Sequence, residues 1–438
     1  MEIISIVLGI LQFLIIGYIL CKEVVKNSSV TFLWATLFVM FGFPHLITTI
    51  THDLPYSNTI LAEASLFVIL FCAIYILFRK KLKCNFIQLN SRKFEIENDL
   101  VVGSLFEHIS FVLLILSVLG LVFGILRSNG GILNTSWASV RGIRTQYLSI
   151  QALANRLVFT FSGLSLYFFL TNRRRKTVIV LVLFTGLVLV TRNRVQIIPV
   201  LTFFLSLYII KVSKIKIRHI VFGMLGAVLV IYIVYAIRAF RWLGSISDAI
   251  NNFSWHYINT TVMRFLSERD GELGLRQHFY YYIQNHNNFE GFNRGYTLIR
   301  MLMVYIPSRF SFGLKPQSFD LYMGQAIGMA AGGSMHPTLF GDCFGNFYWF
   351  GIWAGGLWAG FANFIDKLIS KQRYSFFKIM IFFLSSYSYV VMGRGSVYNG
   401  FEVLAWGVLI LRIIKVFFIR LANVHFVFRL SNTQVGKR

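Results

Sequence analysis

The chain is 438 residues long, 56% hydrophobic and only 13% charged, with 42 Lys+Arg against 17 Asp+Glu for a net charge of +25. A soluble domain of this length cannot keep so much apolar surface out of water, so a soluble enzyme and a basic nucleic-acid-binding protein are both excluded, while a bilayer accommodates both features. Cys21, Cys72, Cys84 and Cys343 are too scattered for a disulfide framework or a zinc site, and no metal or cofactor is called for.

A helix that crosses the hydrocarbon core needs about 20 apolar residues. In chain order the sequence predicts spans over 3–21, 30–50, 57–78, 104–126, 153–171, 177–191, 195–211, 219–237, 343–365, 379–393 and 402–419. The first lacks a positive leading region and a small-residue cleavage site, so it is expected to stay as an anchor. The fold class is therefore an all-α polytopic integral membrane protein with about eleven transmembrane helices and one large outward loop. Residues 1–237 form an N-terminal transmembrane bundle of eight spans, 238–342 the loop, and 343–438 a C-terminal segment of three spans with a tail.

Positive charge sets the orientation. Lys22 and Lys26, Arg79–Lys83 with Arg92 and Lys93, Arg173–Lys176, Lys211–Arg218, Lys367–Lys378 and the tail from Arg412 fall in alternate loops and hold 26 of the 42 basic residues. Those loops are expected to be cytoplasmic. The N-terminus is then outside, the C-terminus inside, and the number of spans odd. The cytoplasmic set contains 15 Lys and 11 Arg; the outer set contains 15 Arg and one Lys, Lys315. Topology does not distinguish lysine from arginine. Arginine differs in its permanent charge and planar fork of donors, which suits a phosphate or pyrophosphate. Helix caps and pairing with outer acids would use arginines too.

The 35 residues from 177 to 211 cross twice, with Thr191-Arg192-Asn193-Arg194 as the only polar break. Each arm rises roughly 22 Å against roughly 30 Å of hydrocarbon, so the turn is expected below the outer surface. An unpartnered arginine there costs about 2.5–3.5 kcal/mol, which favours a water- or ligand-filled cavity over snorkelling. Arg238 and Arg241 follow span 8 three residues apart, on one helical face, where headgroup anchoring is the plainer role.

Within the loop, residues 245–266 are predicted to form an amphipathic helix, with further short helices over 276–284 and 293–306 on the membrane surface or roofing a cavity. The Glu268, Asp270 and Glu272 cluster suits a solvated turn. No paired acidic motif suggests a nucleotide-sugar transferase with bound metal. Pro307, Pro316 and Pro337 interrupt regular helix, and glycines around His336 and Asp342 would let a ligand approach. His336 suits a general base near neutral pH or a donor to a sugar hydroxyl. Asp342 would orient that histidine or act as the base itself. The alternative is a loop histidine with no chemistry.

Three segments carry a family resemblance: Arg192-Asn-Arg194, Pro307-Ser-Arg309-Phe with Lys315-Pro316, and Pro337-Thr-Leu-Phe-Gly-Asp342-Cys-Phe-Gly-Asn346-Phe. Together with the architecture they resemble the O-antigen polymerases (Wzy-type), which join oligosaccharide repeat units in bacterial surface polysaccharide assembly. The chain lacks the arginine-x10-glycine repeat of some members. The resemblance implies a metal-independent membrane glycosyltransferase of GT-C-like architecture in the bacterial inner membrane. Such an enzyme joins units carried on undecaprenyl pyrophosphate at the periplasmic face, with undecaprenyl pyrophosphate as leaving group. It also suggests a chain-length regulator as partner; nucleic acid is not a partner. On this basis Arg192, Arg194, Arg238, Arg241, Arg309 and Lys315 surround the pyrophosphate, and His336 and Asp342 sit by the acceptor hydroxyl. The base stays open between His336, Asp342 and no protein group. An O-antigen ligase shares the donor and the loop features. A lipid-linked oligosaccharide flippase or transporter is disfavoured by the large loop and the absence of an internal repeat.

Overall fold

The computed structural model describes residues 2–80, 100–129, 150–191, 194–211, 225–226, 228–229, 232–239, 246–251, 254–267, 274–329, 334–372, 374–395 and 397–435. Of these, 100–105, 126–129, 150, 194, 211, 246, 249, 265–267 and 418–435 are described by backbone alone.

The described residues are helical throughout, with no strand among them. In chain order the main helices are α1 (Glu2–Val25), α2 (Thr31–Thr51), α3 (Asn58–Phe78), α4 (Leu100–Asn129), α5 (Gln151–Leu170), α6 (Arg174–Thr191) and α7 (Ile198–Lys211). After these come α8 (Ile246–Asn251), α9 (Trp255–Ser267), α10 (Arg276–Gln284), α11 (Tyr296–Leu302), α12 (Phe319–Ala326) and α13 (Thr338–Phe347). The C-terminal third supplies α14 (Ala354–Ser370), α15 (Ser375–Gly393) and α16 (Val397–Val435). Six of them, α1 to α5 and α15, are long and apolar enough to cross a membrane, and Val195–Ile210 is a shorter apolar helix.

Local chemistry explains the helix ends and irregularities. Asn27 (φ 53) takes the left-handed turn after α1, and Ser28 N–H donates back to Glu23 O at 3.3 Å. Inside α2 the backbone widens into a π-turn over Phe38–Gly42. Pro44 follows at once; it has no N–H to donate and its ring crowds the preceding turn. Ser57 caps α3, its Oγ accepting from Ile60 N–H at 3.4 Å.

The helix ends sort into two groups, as alternating loops require. Glu2 lies 3.6 Å from His52, and Ser5 Oγ donates to Asn58 Oδ1 at 3.2 Å, so the start of α1, the end of α2 and the start of α3 share one side. At the other, Arg79 forks onto Glu23 through Nε at 3.0 Å and Nη2 at 2.8 Å, and also reaches Asp366 Oδ2 at 2.5 Å. Ser28 Oγ closes the ring on Asp366 Oδ1 at 2.7 Å. Glu107 is likewise paired with Arg173 and, at 2.7 Å, with Lys176.

Two expectations change here. The helix expected over 245–266 is two helices, α8 and α9, with Ser254 Oγ accepting from Tyr257 N–H at 3.5 Å before the second. The span expected over 343–365 is broken: α13 stops at Phe347, Tyr348 (φ 53) turns the chain, and a 3-10 segment over Tyr348–Trp353 leads into α14. The span expected over 219–237 lies largely outside the described residues.

Helix α10 is the largest surprise. The sequence reads as a surface helix, yet Arg276, Phe279, Tyr280, Tyr282 and Ile283 are all buried. Phe279 packs on Phe41, Phe67 and Phe344, while Tyr280 hydrogen-bonds His45 Nδ1 in α2. Its polar atoms explain how it tolerates burial: Arg276 Nη2 donates to Thr48 Oγ1 at 2.9 Å, and Tyr280 donates to a histidine whose Nε2 lies 2.7 Å from Ser65 Oγ.

Candidate functional site

The residues expected to act together divide into three places. The first is the Asp342–Asn346 pair on α13. Asp342 is buried, its Oδ2 accepting from Thr297 Oγ1 at 3.2 Å and its Oδ1 from Asn346 Nδ2 at 3.2 Å. Asn346 Oδ1 accepts from Thr297 N–H at 3.0 Å, and Asn346 O from Gly295 N–H at 3.2 Å. The four-residue spacing therefore builds a clamp that satisfies orphan donors at the start of α11 and seats that helix on α13. Burial, with a smaller push from the Asp320 charge, raises the Asp342 carboxyl to about 8 against the Thr297 hydrogen bond.

His336 does not meet Asp342 in a hydrogen bond. Its Nδ1 lies 3.6 Å from Asp320 Oδ2, its Nε2 3.3 Å from Ser334 Oγ, and its carbonyl 3.3 Å from His278 Nδ1. Pro337 and the left-handed Thr338 (φ 64) turn the chain between the two expected partners. Gly395 (φ 115) backs this turn: a Cβ there would stand 2.6 Å from Thr338 N. The nearby Gly341 and Gly345 serve packing, not ligand approach, since a Cβ on them would meet Pro337 and Phe279, or Phe319. Between the two carboxylates lies Tyr282, fully buried, its hydroxyl without a hydrogen-bond partner among the described residues; burial and then Asp342 and Asp320 push its phenol up.

The third place is a basic cluster on a different set of helices. Lys315 Nζ donates to Ile306 O at 2.7 Å and lies 5.9 Å from the Tyr398 ring. Arg300, from α11, covers the same ring at 4.4 Å and donates to Pro316 O at 2.5 Å. Arg156, from α5, pairs with Glu402 on α16 at 2.8 Å and stacks on Trp406 at 4.4 Å. Burial lowers the Lys315 ammonium, Arg300 and Arg156 lower it further, and Glu402 opposes them. Among the described residues, three cations thus stand near one carboxylate, and Arg156 pairs with it. Arg156 and Glu402 remain about one-third exposed, at 33% and 30%, so the cluster is open to a ligand.

The arginine turn approaches this cluster. A 3-10 turn over Arg194–Ile197 ends α6, and Gln196 Nε2 donates to Asn155 Oδ1 at 3.4 Å, next to Arg156. Gln196, Ile197 and Ile198 are buried. The span that the sequence predicts over 402–419 sets the depth expected for the cluster. Lys415 Nζ donates to Gln372 Oε1 at 3.0 Å, in the α14–α15 turn. Roughly 20 Å of helical rise separates Lys415 from Glu402, short of the roughly 30 Å of a hydrocarbon core.

Arg309 is exposed, its guanidinium 4.6 Å from the Phe310 ring. Arg238 belongs to a helical stretch whose Tyr235 and Ala239 pack with Ile258 and Val262 of α9. Arg192 and Arg241 lie outside the described residues, and Arg194 is described by its backbone alone. Sequence reasoning missed Arg156, Arg300 and Glu402. The available signal was a single charge of either sign inside otherwise apolar runs.

Fold and site define a class, an all-helical membrane protein with a basic cluster around the Arg156–Glu402 pair. No family model, curated protein or solved structure matches the chain.

Proposed function

We propose that the chain is a membrane glycosyltransferase that polymerises oligosaccharide units carried on undecaprenyl pyrophosphate at the periplasmic face of the bacterial inner membrane. The observation that carries this reading is the excess of cations in the cluster: Arg156, Arg300 and Lys315 near Glu402, the one carboxylate there among the described residues. In the reaction, a hydroxyl oxygen of one lipid-linked unit attacks the anomeric carbon of the growing chain. The bond from that carbon to the pyrophosphate oxygen breaks, and undecaprenyl pyrophosphate leaves with the bonding pair. Preorganised arginines stabilise charge that grows on that leaving group. In this proposal Arg192 and Arg194 join the pyrophosphate-binding set on the strength of the sequence resemblance. His336, held by Asp320, takes the hydroxyl proton, and Asp342 positions α11 and with it Arg300. Eleven spans, a GT-C-like arrangement, an outer N-terminus and a chain-length regulator as partner belong to the same proposal.

The test is the surface-polysaccharide ladder in cells lacking this gene and carrying wild type, Arg300→Ala or Arg194→Ala, with membrane abundance measured by immunoblot. A core bearing one repeat unit at normal protein abundance is expected for both variants. Bare core with long polymer left on the carrier would make the protein a ligase. Bare core with single units trapped on the inner leaflet would make it a flippase.

A further inference from the structure

Residues 298–314 present an apolar surface that none of the described residues covers. Helix α11 buries Thr297 and Val304 follows on the same side, yet Leu298 and Ile299 are exposed on the opposite one and Leu302 is 80% exposed. A helix whose outward side is apolar and free of the other described residues matches lipid and not water. The turn that follows is ordered by its own hydrogen bonds: Ser311 Oγ donates to Ser308 O at 2.7 Å, and Leu314 N–H to Ser311 O at 2.8 Å. At its tip Phe312 sits in the left-handed region (φ 49) and is 93% exposed, with Leu314 beside it 72% exposed. A bulky residue held in a disfavoured conformation and pushed clear of the protein needs a compensating environment.

Depth identifies that environment. Tyr305, at the base of the segment, donates from its hydroxyl to Ala405 O at 3.0 Å, and its ring meets Trp406 at 5.4 Å. Ala405 stands roughly 15 Å along α16 from Lys415, near the middle of a hydrocarbon core. The charges of the segment turn away from the apolar side. Arg300 and Lys315 face Tyr398, and Arg309 folds over the neighbouring Phe310 ring as a snorkelling side chain does.

We infer that residues 298–314 are a finger inserted into the outer leaflet, with lipid hydrocarbon as its occupant and the basic cluster on its inner side. This holds whichever reaction the cluster serves.

The full-length chain in phosphatidylethanolamine–phosphatidylglycerol nanodiscs provides the test. With Cys21→Ala and Cys84→Ala, leaving the buried Cys72 and Cys343, nitroxide labels are placed through Leu302→Cys, Phe312→Cys and, as an exposed control, Gln325→Cys. The first two labels are expected to collide with oxygen severalfold more than with a water-soluble nickel chelate, and the control to show the reverse. Nickel access at 312 equal to that at 325 would overturn the finger, and so would exclusion of both reagents, which would mean a second copy covers the patch. Wild-type chain with a phospholipid bearing a diazirine on its acyl chain gives a variant-free check. Cross-links on the 298–314 peptide are expected; their absence while α16 is labelled would overturn the inference.

Discussion

Two clusters of charge sit at opposite ends of the bundle, and their contrast separates a structural device from a working one. The Arg79 cluster is balanced: Arg79 and Lys26 meet Glu23 and Asp366, with Ser28 and Asn363 taking the remaining donors. The Arg79, Glu23 and Asp366 side chains are 3%, 1% and 1% exposed, leaving no room for a ligand. The Arg156 cluster is unbalanced and partly open, with aromatic rings and carbonyls standing where further carboxylates would be in a closed network. Neutrality with full enclosure locks helices together; surplus charge with access leaves work for an incoming anion.

Substitutions sharpen this contrast, and the largest effect belongs to the balanced cluster. Arg79→Ala leaves two buried carboxylates unpaired, and a broken buried pair costs about 3–5 kcal/mol. The variant is expected to lose most folded protein in detergent, read as monodisperse yield and melting temperature. At the open cluster the pattern should invert. Arg300→Ala should keep its yield while polymerisation falls by about 10²–10³, the cost of removing one donor to a developing negative charge. Arg156→Ala should behave similarly, its half-open ion pair contributing at most about 1 kcal/mol to stability. If Arg156→Ala melted like Arg79→Ala, the two clusters would not differ in kind.

Smaller effects test the clamp. The folded state holds the Asp342 proton to about 8, whereas the ordinary carboxyl value is 3.8. Its contribution to stability is therefore complete below about pH 4 and is lost as pH rises toward 8. Wild-type melting temperature should fall across that window, and Asp342→Asn should flatten the slope. An unchanged slope would place the carboxyl in contact with water. The smallest effect is expected at Arg238, whose helical neighbours Tyr235 and Ala239 pack with Ile258 and Val262 of α9: Arg238→Gln should leave the polysaccharide ladder at its normal length.

How much was legible in the sequence depends on which signal each element carries. Helices α1 to α5 and α15 announce themselves through long apolar runs. Helix α10 was legible as a helix over 276–284, but its burial was hidden because Arg276, His278 and three tyrosines look like surface chemistry. Only the fold reveals that Thr48 and His45 receive Arg276 and Tyr280. The Asp342–Asn346 spacing was visible as a pattern, but its partner Thr297 is a contact between distant stretches and has no local mark. His336 and Asp342 are close in sequence and diverge because Pro337 and Thr338 turn the chain. Arg156 and Glu402 are single charges in apolar helices, and only their proximity makes a site of them.

The Arg79 lock joins Glu23, Ser28 and Asp366, and translation makes these residues far apart in time. Glu23 and Arg79 pair while the nascent chain is short, and Lys26 leaves that pair with an extra positive charge until Asp366 emerges. A ribosome stalled before residue 366 would therefore release a chain whose first three helices carry an unneutralised cation in a buried seat. Such fragments should be better substrates for membrane quality-control proteases than fragments ending just after α14.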